Sequence, residues 1–140
     1  MLILALLTIA PVGYLLWQRR EQPAAPKHLG LTFVGGILVW LATMSWPLGP
    51  HGDYLPWQVI LAGAAMVALT IALAWRVPTE GAAIGWTAAS GFALAWGVWA
   101  GLQDDTGLWG VGLIMVLLGA GTSLALVGWL TGVLRQRRAA

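Results

Sequence analysis

Apolar residues fill this chain in long runs, and short polar clusters cut the runs apart. Five runs stand out: Met1 to Trp17, about Leu29 to Leu48, about Leu55 to Trp75, about Ala82 to Leu102, and about Gly107 to Leu134. The breakers between them are "RREQPAAPKH", "PLGPHGD", "RVPTEG" and "QDDTG", rich in the proline, glycine and aspartate that turns require. A bilayer-spanning helix needs roughly 20 consecutive apolar residues. The last four runs meet that length. The first is marginal and carries Pro11, and the fifth is long enough to tilt or to extend into the interface. Pro56 falls at the opening of the third run, where the first helical turn tolerates it. The pattern therefore predicts an all-α fold: a polytopic membrane helical bundle of five transmembrane helices in a single integral membrane domain covering residues 1–140.

Composition sharpens this picture. Of 140 residues 59% are hydrophobic and only 9% are charged, against about 25% charged in ordinary soluble domains. Too few polar groups exist to cover a water-facing surface, so lipid is the expected solvent over most of the protein. With no cysteine, disulfides and thiolate chemistry are excluded. The net charge of +2 is too small to suggest nucleic acid as a partner.

The placement of charge predicts orientation. All seven basic residues (Arg19, Arg20, Lys27, Arg76, Arg135, Arg137 and Arg138) fall on one side of a five-span chain. The opposite connections hold Asp53, Asp104 and Asp105. By the positive-inside rule the amino terminus lies outside and the carboxyl terminus in the cytoplasm. The first run lacks a basic residue before its apolar stretch, so it reads as an uncleaved anchor rather than a signal peptide. Six Arg against one Lys, with much Ala, Gly and Trp, fits a GC-rich bacterial genome and hence a bacterial cytoplasmic membrane.

Small residues recur four apart at Gly81/Gly85, Gly97/Gly101, Gly128/Gly132 and Ala64/Ala68/Ala72. On a helix these make smooth strips along which backbones approach closely. "GLTFVGG" at Gly30 parallels "GWTAASG" at Gly85, and "DYLPW" at Asp53 parallels "DTGLW" at Asp105. The offsets of 55 and 52 make the two hairpins after the first helix a candidate parallel repeat.

Candidate chemistry is sparse. No predicted span contains Asp, Glu, Lys, Arg or His, which argues against a proton-coupled pathway or haem ligation within the chain. Phosphate loops, metalloprotease helices and a workable Ser-His-Asp set are also missing. The chain is therefore expected not to be an enzyme and to carry no cofactor. Two weaker sites remain. His51, Asp53, Asp104 and Asp105 share the outer face and could together ligate a cation or sense pH, though turn chemistry alone accounts for them. Of ten tryptophans, seven fall near the ends of runs, as headgroup-seeking indoles do. Trp40, Trp86 and Trp96 lie deeper and could line a pocket for a flat or apolar ligand.

In span count and tryptophan content, and in those alone, the chain resembles the tryptophan-rich sensory protein family, whose members bind porphyrins and other flat ligands. "WPLGPHGDYLPW" does not reproduce that family's proline-rich stretch, and no residue role carries over.

These readings converge on a structural or accessory subunit of a larger membrane complex. Its expected partners are the lipid bilayer and other membrane chains or further copies of itself. A carrier of an apolar or flat aromatic ligand is the alternative, and an outer-face cation or pH sensor the third reading.

Overall fold

A computed structural model describes residues 25–46, 49 and 54–140. The first predicted span, Met1 to Trp17, lies outside the described residues. Those residues form four α-helices, α1 (Ala25–Thr43), α2 (Pro56–Arg76), α3 (Gly81–Gln103) and α4 (Trp109–Ala139), with a single 3-10 turn at Pro78–Glu80 and no strand. Two helices, α2 and α4, are long and apolar enough to cross a membrane.

The helix limits follow from local chemistry. Pro56 opens α2 at the position where its missing N–H costs nothing. Val77 precedes Pro78 and takes φ −129° and ψ 74°, outside the helical region, so α2 stops at Arg76. Gly107, with φ +75°, turns the chain between α3 and α4 in a conformation that side chains disfavour. Three limits differ from the sequence pattern by four or five residues. Helix α1 begins at Ala25 rather than near Leu29 and ends at Thr43 rather than near Leu48, and α4 runs to Ala139 rather than to Leu134. At the far end of α4 the arginines favour the helix by complementing its negative pole, and Arg135 and Arg138 stack on Trp75 of α2.

Successive helices are antiparallel. One end of the bundle gathers the end of α1 with the starts of α2 and α4 and the end of α3, through Gln58 against Thr43 and Trp46, Tyr54 against Trp99, and Gly101 against Trp109. The other end gathers Leu29, Leu73 and Ile84 in one cluster, and Trp75 with Arg135 and Arg138. Lys27, Arg76, Arg135, Arg137 and Arg138 thus share one end, and Asp104 and Asp105 belong to the other.

Helix α3 is the centre, packing most extensively on α4 and then on α1. It is buried through Gly81, Ala83, Gly85, Thr87, Ala88, Ser90, Gly91 and Ala93, small residues that let neighbouring backbones come close. At Gly81 and Gly128 an added Cβ would run into the facing backbone of α4 and α3 respectively. The α1–α3 crossing is reciprocal: a Cβ on Gly36 would meet the Ala88 carbonyl, and one on Gly91 would meet the Phe33 carbonyl. Phe33 and Ala88 are 55 residues apart, as are Gly36 and Gly91, so these two parallel helices meet at the offset of the candidate sequence repeat. Buried hydroxyls bond back along their own helices, with Thr32 donating to the His28 carbonyl at 2.6 Å and Ser90 to that of Trp86 at 2.9 Å.

Large aliphatic side chains point the other way. Leu31 and Leu38 on α1, Ile60 on α2, and Val111, Met115 and Leu118 on α4 are all exposed.

Candidate functional site

A cavity of about 380 Å³ opens between α2 and α4, with α3 as its floor. Val59, Gly63 and Val67 form one wall, Val116, Ala120 and Ser123 the other, and Phe92 and Trp96 the base. The space exists because small residues face each other here. Gly63 has nothing within 4 Å of where its Cβ would stand. The lining is apolar apart from the Ser123 hydroxyl. Its volume lies in the range of small-molecule sites. Such a lining can hold an apolar body and contains no titratable side chain.

The three deep tryptophans do not form one pocket. Trp96 lines the cavity, and its ring also covers Gly112 of α4. Trp40 is buried in the cluster beside it, with Met44 and Ala62, and its ring centroid is 6.3 Å from that of Trp99. Trp86 packs over Gly121 on the α3–α4 seam, in a different cluster. The indole N–H groups of Trp40 and Trp86 are buried without a hydrogen-bond partner, as are the hydroxyls of Tyr54, Thr70 and Thr87. Tyr54 meets the ring of Trp99 at 5.7 Å, and burial pushes its phenol above its ordinary pKa.

Of the four outer-face candidates, His51 and Asp53 lie outside the described residues. Asp104 is engaged by its own loop. One carboxylate oxygen accepts from the Thr106 N–H at 2.8 Å and from the Thr106 hydroxyl, and the other accepts from the Trp109 N–H at 2.7 Å. The Thr106 hydroxyl first, then the N–H groups of Thr106 and Trp109, hold this carboxyl below the usual range. Asp104 therefore acts as a loop clasp and cap for α4, and a cation would compete with those donors. Asp105 is exposed. Among the described residues no three or more His, Cys, Asp or Glu side chains cluster in a way that could hold a metal ion.

Three features escape the apolar-run reading. Gln58, 1% exposed, sits inside the third run. Its amide donates to the carbonyls of Thr43 at 3.3 Å and Trp46 at 2.9 Å, and its oxygen accepts from the Leu55 N–H at 3.0 Å. It thereby satisfies the end of α1 and the start of α2 together. Glu80, 3% exposed, is buried in the turn before α3. The third feature is the pair of guanidiniums on Trp75, at 5.3 Å for Arg135 and 5.7 Å for Arg138. A lone polar residue in an apolar run was the available signal for Gln58. The other two depend on how distant segments meet.

The chain matches no family model, no curated protein and no solved structure.

Proposed function

We propose that this chain is a small five-span protein of a bacterial cytoplasmic membrane, amino terminus outside and carboxyl terminus inside. It serves as a structural or accessory subunit of a larger membrane complex and has no catalytic centre of its own. The observation that carries the reading is the sorting of side chains. Glycine, alanine, threonine and serine fill the interior of α3, while large aliphatic residues face outward on α1, α2 and α4. That is the reverse of a water-soluble core and suits a lipid solvent, in which close backbone packing replaces the hydrophobic drive between helices. A central helix wrapped by its neighbours needs little apolarity of its own, which accounts for the Gly- and Ala-rich α3 as a span.

The accessory role is supported by the small-residue strips. Those of Gly81/Gly85 and Gly128/Gly132 are used up inside the bundle. Ala64, Ala68 and Ala72 on α2 remain exposed and suit a helix of another chain. The reciprocal contact at the 55-residue offset supports an origin of the two hairpins by duplication.

A native mass spectrum of the full chain, tagged at its carboxyl end and extracted in mild detergent, tests the role. The reading expects a stoichiometric complex with other membrane chains. A bare monomer or homo-oligomer, stable through purification, would sink it. That result would favour the second reading, a binder of an apolar molecule, which the cavity between α2 and α4 supports.

A further inference from the structure

Arg135 and Arg138 are three residues apart on α4, hence on one face of it. Both guanidiniums lie within 6 Å of the Trp75 ring centroid, and no carboxylate among the described residues pairs with either. Two like charges gathered round one indole repel each other, and an anion between or above them relieves that repulsion. Arg76 adds a third positive charge beside the same ring in sequence. Glu80, the acidic side chain at this end among the described residues, is 3% exposed.

The surroundings say what kind of anion fits. On α2, Trp75, Ile71 and Val67 follow one another at four-residue spacing and so form one strip. Trp75 and Ile71 are exposed, as is Leu134 beside Arg135 on α4. Val67 is already a wall of the apolar cavity between α2 and α4. From Trp75 to Val67 the strip is eight residues, about 12 Å, and it continues through Gly63 to Val59. A phosphate at the arginines thus has an apolar track leading from it toward the middle of the bundle. A free phosphate has no use for that track, but an acyl chain does.

We infer that Trp75, Arg135 and Arg138 form a binding site for the headgroup phosphate of an anionic phospholipid from the leaflet at the basic end, with one acyl chain along Ile71 toward the cavity. The inference goes beyond the accessory-subunit reading and needs only that the helix ends meet an anionic leaflet. Basic side chains at a membrane surface contribute about fivefold each in affinity, so two give roughly 30-fold.

The test uses the purified full chain in mild detergent, with equimolar phosphatidylglycerol and phosphatidylcholine of identical acyl chains. Native mass spectrometry counts the lipids retained on the bare chain, so the result does not depend on whether partner chains co-purify. The site predicts roughly 30-fold preference for phosphatidylglycerol, lost in R135Q/R138Q and kept in R137Q, which removes a neighbouring charge that does not stack on the ring. Equal retention of the two lipids overturns the inference. So does an equal loss in R137Q, which would mean general charge attraction, or displacement of phosphatidylglycerol by millimolar inorganic phosphate, which would mean a site for free anions. If R135Q/R138Q fails to fold, quenching in vesicles decides with wild-type protein and Trp75→Phe. Brominated phosphatidylglycerol should quench wild-type tryptophan fluorescence more than brominated phosphatidylcholine, and Trp75→Phe should remove the excess. Equal quenching by the two lipids would again overturn the site.

Discussion

Gly36 and Gly91 show how single atoms set this bundle. Each faces a carbonyl of the opposite helix, so Gly36→Ala or Gly91→Ala must push α1 and α3 apart. Overpacking of this kind costs about 1–3 kcal/mol. Gly63→Ala, with open space around it, should leave stability unchanged within about 0.5 kcal/mol, as a substitution away from packing does. Thermal unfolding in one detergent compares the three, and equal midpoints would contradict the packing. Gln58→Leu removes three hydrogen bonds and strands the Leu55 N–H and the Thr43 carbonyl. The expected loss is about 1–3 kcal/mol for each group left buried without a partner. Stability equal to wild type would mean the two helix ends find partners elsewhere.

Asp104 gives a pH dependence. Its hydrogen bonds favour the charged form in the folded state and depress its pKa there. Its contribution to stability is therefore complete above the unfolded carboxyl value, near pH 4, and is lost as pH falls through the lower folded value. The unfolding midpoint of wild type should fall across that acid window more steeply than that of Asp104→Asn. Parallel curves would contradict the clasp.

At the scale of helices, the parallel α1–α3 pair carries the register of the bundle. Leu29 and Ile84, also 55 residues apart, are buried in the same cluster. In a chain with no cysteine, Leu29→Cys with Ile84→Cys should therefore form a disulfide within the monomer on oxidation by iodine, a reagent small and apolar enough to reach a buried pair. Leu31→Cys, whose parent side chain is exposed, should not link to Ile84→Cys. The reverse result would place α1 in another register. Much of this level was legible from sequence. Apolar runs and breakers located the four described helices, because long apolar runs and proline or glycine turns are local signals. Gly81/Gly85 and Gly128/Gly132 do meet a facing backbone, which the sequence could not identify, whereas Gly97 and Gly101 meet the side chains of Leu113 and Trp109. The α1 end and the helical arginine tail were misplaced, since both are fixed by contacts with α2: Gln58 takes up the carbonyls of Thr43 and Trp46, and Trp75 holds Arg135 and Arg138. The candidate site was less legible. Trp96 was named for its depth and does line the cavity, but Gly63 and Ala120, whose small size helps to create it, are 57 positions apart and carry no signal alone.

For the whole molecule, charge and apolar surface are arranged in the same frame. The basic residues among those described gather at one end, Asp104 and Asp105 belong to the other, and exposed aliphatic side chains lie on the helices between. At about 1.5 Å per residue the 21 residues of α2 extend about 32 Å, close to the roughly 30 Å of a bilayer's hydrocarbon. In the proposed orientation this axis crosses a membrane with the basic end in the cytoplasm. Single cysteines in place of Asp105 and Ala140, labelled with an impermeant maleimide in intact and in opened bacterial cells, test it most directly. In that orientation Asp105→Cys labels in cells with only the outer barrier breached, and Ala140→Cys labels only once the inner membrane is opened. Labelling of both positions from the same side would contradict it.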